Sequence, residues 1–131
     1  MAPALRCVPL RAGVDLDQGA TLLTNPLTAW VLATRARREG HRAVVLTAPA
    51  GAVGQMLNRL FTRQGQTVIN VVRKPAHAEI LRTLGAAHVL DSTAPDFVSR
   101  LGALAAELGA SLLLDAVGGE TAGLALGAMP D

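Results

Sequence analysis

The stretch Ala43-Val-Val-Leu-Thr-Ala-Pro-Ala-Gly-Ala-Val-Gly54 decides the fold: an apolar run breaks at a glycine-containing turn and passes straight into an amphipathic segment. It reads as strand, tight turn and helix. At such a junction the N–H groups of the turn and of the first helical turn lack backbone partners. They point, with the positive end of the helix dipole, at whatever anion sits there. Gly51 admits a phosphate close to the main chain, and Gly54 lets the helix pack close to the strand. Pro49 stands where the usual three-glycine fingerprint has its first glycine, so the two remaining glycines are read together with their flanks.

Upstream, residues 1 to 14 read as irregular, punctuated by Pro3, Pro9 and Gly13, and Asp15 to Leu23 hold a short helical turn. Asn25-Pro26 pairs a good N-cap with a residue preadapted to the first helical position. A helix is predicted from Pro26 to about Arg38, with Leu27, Trp30, Val31 and Thr34 sharing one face and Gly40 at its exit. Downstream, Val53, Met56, Leu57, Leu60 and Phe61 recur at helical spacing until Gly65. Thr67 to Val72 is a second strand; Ile80, Leu81 and Leu84 mark a short helix ending at Gly85; His88 to Leu90 is a third strand. Thr93-Ala-Pro-Asp96 has the spacing of a capping box, opening a helix lined by Phe97, Leu101, Leu104 and Leu108 up to Gly109. The fourth strand spans Ser111 to Val117, and Gly118-Gly119 turns the chain into a last helical stretch.

Strands apolar on both faces and alternating with helices predict an α/β class fold, a parallel sheet covered by helices on two sides through right-handed crossovers. In such sheets ligands bind beyond the carboxyl ends of the strands. Those ends carry Ala48 to Gly54, Val72 to Lys74, Asp91-Ser92 and Ala116 to Gly119. A dinucleotide fold distinguishes its ribose at the end of the second strand, where an acid would accept from the 2′-OH of NAD. Val72 stands there, with Arg73 and Lys74 next in line to pair with a 2′-phosphate, so NADP(H) is favoured over NAD(H). Arg73 is the stronger partner because its planar fork grips phosphate bidentately.

Length and composition restrict the alternatives. The 131 residues suffice for one domain with its own core, and half are apolar. Aromatics are only Trp30, Phe61 and Phe97, so Ala, Val and Leu must build that core. The net charge of +2 and the absence of interleaved aromatics exclude a nucleic-acid surface. Arg35, Arg37 and Arg38 suit the negative end of a helix dipole. Cys7, the single cysteine, allows no intramolecular disulfide and no thiolate metal cage, which suits a reducing, cytoplasmic interior. The apolar runs are too short to cross a bilayer, and Pro3 and Pro9 interrupt any transit-peptide amphipathicity around Arg6 and Arg11. His41, His77 and His88 have no metal-ligand spacing, so no metal site is expected. Asp91 is read as a cap and Asp115 as a hydrogen-bond partner of the glycine turn that follows it.

Asn25-Pro-Leu-Thr-Ala29, Ala50-Gly-Ala-Val-Gly54, Ile69-Asn-Val-Val-Arg73, Leu84-Gly-Ala-Ala-His-Val89 and Asp115-Ala-Val-Gly-Gly119 together resemble successive landmarks of the medium-chain dehydrogenase/reductase superfamily. The likeness is closest to its zinc-independent branch of NADPH-dependent quinone reductases and enoyl-thioester reductases, and it runs from about Val14 onward. The resemblance implies that Gly51, Ala52, Val53 and Gly54 bed the pyrophosphate. It also implies that Arg73, with Lys74, meets the 2′-phosphate and that Val117, Gly118 and Gly119 lie near the nicotinamide. Asn25 and Thr28 are similar to residues lining the cleft towards a second domain; helix capping is the alternative for both. Family members carry a catalytic, barrel-like domain before the region matched here and two further strands after it. The zinc ligands and a proton-donating tyrosine of related enzymes lie in the former, and this sequence contains no Tyr.

The resemblance therefore implies a Rossmann-type sheet of about four strands in order 3-2-1-4. Residues 1–24 form an irregular lead and residues 25–131 the dinucleotide-binding domain. The expected function is the cofactor-binding part of an oxidoreductase that transfers hydride to a quinone or an activated alkene, its small-molecule substrate held by a second domain. The alternatives are a non-catalytic NADP-binding module and an inactive fragment. Without a further strand beside it, Ser111 to Val117 would be an open apolar edge, from which self-association is expected.

Overall fold

The apolar run that opens the deciding stretch is strand β1 (Ala43–Thr47), buried at all of its positions in a computed structural model that describes Pro3 and residues 7–130. It is flanked by parallel partners, β2 (Thr67–Val72) on one side and β4 (Ala110–Leu114) on the other, and β3 (His88–Asp91) pairs with β2. The sheet order is β3-β2-β1-β4, as the sequence predicts. Helices α1 (Leu16–Thr21) and α2 (Thr24–Arg38) precede β1. Helices α3 (Ala52–Arg63), α4 (Pro75–Thr83) and α5 (Phe97–Leu108) make the crossovers, and α6 (Gly119–Gly127) follows β4.

Alternation along the strands sorts the side chains between two cores. Val44, Leu46 and Val68 face α2 and α3, where they meet Ala29, Ala33, Leu57 and Phe61. Val45, Ile69, Val71 and Leu90 face α5 and α6, meeting Phe97, Leu101, Ala105 and Ala125. Val72 packs beside α4 with Ala78 and Leu81. Asn70 is fully buried on β2, yet its polar atoms are used: Asn58 Nδ2 donates to its Oδ1 at 2.8 Å, and its own amide donates to the His88 carbonyl at 3.3 Å. That pairing offsets the cost of burying an amide.

The helix stops are where the glycines put them. Gly40, Gly65, Gly85 and Gly109 all have positive φ, and Gly109 is a left-handed C-cap. The helix starts differ more. Asn25 is not the N-cap of α2: the helix begins at Thr24 after Leu23, with no capping side chain, and Thr28 Oγ1 back-bonds to the Thr24 carbonyl at 2.8 Å. Thr93 does not cap α5, which starts at Phe97 after Asp96. Asp91 captures Thr93 instead, accepting from its N–H at 2.8 Å and its hydroxyl at 2.7 Å. Those bonds hold the Asp91 carboxyl below its usual range.

The apolar face shared by Leu27, Trp30 and Val31 is not the one that α2 buries. Leu27, Trp30 and Val31 are 53%, 57% and 47% exposed, and the buried stripe is Ala29, Ala33 and Ala36. Alanines let the helix axis come close to the sheet and to α3, so the larger residues are turned outward. Ile80 and Leu84 are likewise exposed, leaving Ala78 and Leu81 as the seat of α4.

β4 ends at Leu114, three residues before the predicted Val117. The reason is a polar knot. Thr47 Oγ1 donates to Asp115 Oδ1 at 2.6 Å and accepts from the Ala116 N–H at 2.9 Å. The Asp115 carboxylate also accepts from the N–H groups of Val117 (3.3 Å) and Gly118 (2.8 Å). Backbone groups bonded in this way leave the strand ladder. Donation first from Thr47, and also from the Gly118 and Val117 N–H groups, holds the Asp115 carboxyl below its ordinary value.

A Cβ placed on Gly54 would stand 2.6 Å from the Ala48 carbonyl oxygen and from Pro49 Cα and O, all of them backbone atoms. Gly54→Ala should therefore cost about 1–3 kcal/mol, read as a lower denaturant midpoint with unchanged m-value. Acid should act through Asp115. A carboxyl with a depressed folded pKa contributes stability that is complete above its unfolded value of about 4 and is lost as pH falls through the folded one. Melting temperature should thus drop below about pH 4, and Asp115→Asn should flatten part of that drop, Asp91 supplying another part.

Candidate functional site

Parallel topology places the ends of β1, β2, β3 and β4 along one rim, and two cavities open there on either side of Thr47 and Ala48. The start of α3 borders the larger of them. Gly51 is its N-cap, in extended conformation (φ −71°, ψ 168°), and no side chain caps the helix. The N–H groups of Ala52, Val53 and Gly54 are the first three of the helix and have no intrahelical acceptor. They are open to an anion, reinforced by the helix dipole. A Cβ on Gly51 would meet only the Ala48 carbonyl, at 3.4 Å, an ordinary contact. The space above Gly51 is therefore open, in contrast to the closed contact at Gly54. Ala48 just before it holds φ +49°, a left-handed conformation costly for a residue with a Cβ.

The first cavity, about 220 Å³, is lined by Arg73, Lys74, His77 and Ser92 on one side and by Thr47, Ala48, Pro49 and Val117 on the other. Arg73 and Lys74 follow the end of β2, Lys74 as the residue before α4, and both are exposed. The second cavity, about 520 Å³, lies between α2 and the ends of β1 and β4. Asn25 and Thr28 line it from α2, Gly51 to Gly54 from α3, and Asp115 and Ala116 from the β4–α6 loop. The sequence-selected residues thus divide: Arg73, Lys74 and Val117 border the smaller cavity, and Asn25, Thr28, Gly51, Ala52, Val53 and Gly54 the larger. Gly118 and Gly119 line neither, but with φ of 72° and 60° they make the turn that brings Val117 to the rim. Sequence reasoning put Ser92 at the ligand-binding strand ends without a role, and missed Thr47 and His77. A single polar residue at the end of an apolar strand was the only available signal for Thr47.

The remaining titratable groups do not gather. His41 Nδ1 lies 2.8 Å from Ser111 Oγ, and its Nε2 is 3.5 Å from Glu39 Oε2, at the opposite end of the sheet. Among the described residues no three His, Cys, Asp or Glu side chains come together as a metal site, and no helix is long and apolar enough to cross a membrane.

The rim geometry suits a dinucleotide: an uncapped helix start for the pyrophosphate, basic side chains in one cavity, and a second cavity whose only charged group, Asp115, is bonded to Thr47 and to backbone amides. Comparison with known proteins agrees. The family profile described as zinc-binding dehydrogenase matches residues 52–130. A provisionally assigned NADPH:quinone reductase from Mesorhizobium loti superposes with a TM-score of 0.91 at 36% identity, over 98% of this chain and 38% of that one. A mycobacterial protein complexed with NADPH superposes with a TM-score of 0.78 at 28% identity, over 98% of this chain and 40% of that one. The mitochondrial enoyl-[acyl-carrier-protein] reductase of Caenorhabditis elegans is 31% identical over 121 residues, 88% of this chain and 35% of its own length. The chain spans about a third of that curated relative and 26% of a second, the acrylyl-CoA reductase of Ruegeria pomeroyi. By this match over more than half of its residues, the chain belongs to the zinc-binding dehydrogenase family, within the medium-chain dehydrogenase/reductase superfamily.

Proposed function

We propose that this chain binds NADP(H), and that it serves as the cofactor-binding part of an oxidoreductase acting on a quinone or an enoyl thioester. The observation that carries the reading is the pair of cavities meeting at Thr47 and Ala48 under the uncapped start of α3, with Arg73 and Lys74 at one of them. The N–H groups of Ala52, Val53 and Gly54 would hold the pyrophosphate, and Arg73 and Lys74 the 2′-phosphate. The rim of Val117 to Gly119, with Asn25 and Thr28, would border the nicotinamide half. When bound, the nicotinamide supplies the hydride; this chain's part is to orient it. The NADPH bound to the mycobacterial relative supports the cofactor, and the names of the other relatives support the substrate class.

Residues 25–131 are the dinucleotide-binding unit in this reading, and the substrate is held by a second domain. The outward stripe of Leu27, Trp30 and Val31 beside Asn25 and Thr28 supports such a neighbour, because large apolar patches on monomers mark contact surfaces. The chemistry in this reading is zinc-independent, as in the branch the sequence resembles, and the exposed Cys7 suits a reducing, cytoplasmic setting. β4 is the outer strand of the sheet, with Leu112, Leu113 and Leu114 only half-buried, which supports association of the 131-residue chain through that edge.

Two measurements test this. Calorimetry should show NADPH bound more tightly than NADH, and Arg73→Ala should weaken NADPH by about tenfold or more while leaving NADH within about twofold. Equal affinity for the two cofactors would remove the assignment of Arg73, and no binding of either would remove the reading itself. Light scattering on the isolated chain should show dimers or larger species that dissociate when Leu113 is replaced by Lys. A monodisperse monomer would exclude the edge as an interface.

A further inference from the structure

We infer that Thr47 is a positioning residue for the nicotinamide half of the site, acting through the β4–α6 loop. The inference rests on the cofactor reading above. Thr47 is 1% exposed at the carboxyl end of β1, and it borders both cavities. A buried hydroxyl is retained at a cost unless it is fully bonded, and this one is. It donates to Asp115 Oδ1 at 2.6 Å and accepts from the Ala116 N–H at 2.9 Å. Asp115 passes the constraint on, accepting from Val117 N–H at 3.3 Å and Gly118 N–H at 2.8 Å. Three successive amides are thereby fixed by one strand-end hydroxyl and the carboxylate it holds.

Those amides belong to the loop that walls the site on the β4 side. Asp115 and Ala116 line the larger cavity and Val117 the smaller, so the loop is the partition that Thr47 anchors from beneath. Arg73 and Lys74, by contrast, stand on the far side of the smaller cavity after β2 and have no bond to this knot. The two halves of the ligand are thus held by separate devices. Loss of the hydroxyl should loosen one and spare the other. Valine at position 47 has nearly the same shape and would leave the Ala116 N–H and one carboxylate lone pair without partners.

The test uses the 131-residue chain as wild type, Thr47→Val and Thr47→Ser, with NADPH as the whole probe and 2′,5′-ADP as a probe of the adenosine half alone. Thr47→Val should weaken NADPH by about tenfold, abolish the enhancement of nicotinamide fluorescence on binding, and leave 2′,5′-ADP within about twofold. Thr47→Ser, which keeps the hydroxyl, should restore both affinity and fluorescence. Without any ligand, amide hydrogen exchange at Ala116, Val117 and Gly118 should accelerate in Thr47→Val and not in Thr47→Ser. If Thr47→Val does not fold, Asp115→Ala on the exposed loop replaces it with the same expectations. Unchanged exchange, unchanged NADPH fluorescence, or equal weakening of both nucleotides would overturn the inference. Wild-type protein that binds neither nucleotide would instead overturn the cofactor reading, and the exchange data would still judge the loop anchor on their own.

Discussion

Helix α3 begins with Gly54 pressed against the main chain of Ala48 and Pro49, a contact into which no Cβ fits. Much else depends on that approach. It fixes the helix axis beside β1, so that Leu57 and Phe61 fill the space above Val44, Leu46 and Val68. It also aims the free N–H groups of the first helical turn at the rim where the strands end. A larger residue at position 54 would push the helix start outward and displace these groups from the cavity they line. The left-handed φ of Ala48 belongs to the same constraint, since the chain must reverse sharply between a buried strand and a helix lying on it. Backbone strain of this kind persists where surrounding structure over-determines it.

The sheet then divides the rim by charge. β2 delivers Arg73 and Lys74 to one cavity, while β1, β4 and α2 deliver neutral groups and one carboxylate, Asp115, to the other. That carboxylate, although exposed, accepts from backbone amides and the Thr47 hydroxyl, so its oxygens are engaged by donors of the protein itself. An anionic ligand is therefore met by basic side chains on one flank and by helix N–H groups on the other, where no free acid repels it.

Legibility in the sequence followed the length of the pattern. Strands apolar on both faces, the α3 stripe from Val53 to Phe61, and glycines one or two residues past a helical run were readable because each is a repeated constraint. Together they specify four strands alternating with helices, and the order β3-β2-β1-β4 came from the family resemblance. Which face α2 buries was not legible, because that helix carries two apolar stripes. Hydrophobicity favours Leu27, Trp30 and Val31, whereas close packing against the sheet requires the small Ala29, Ala33 and Ala36. Composition alone does not say which stripe a helix buries.

The ends of elements were misread for a different reason. At Thr93 and at Asp115 a short side chain competes with helix or strand for the same backbone groups, and the outcome depends on which acceptor is nearest in space. Asp91 wins at the first, so the helix starts later; Asp115 and Thr47 win at the second, so the strand stops earlier. Thr47 and Asp115 are 68 residues apart in the chain, and no local window joins them. The glycines and basic residues of the rim announce themselves by type and spacing. The hydroxyl that fixes the shape of its wall acquires a role only when parallel pairing brings β4 alongside β1.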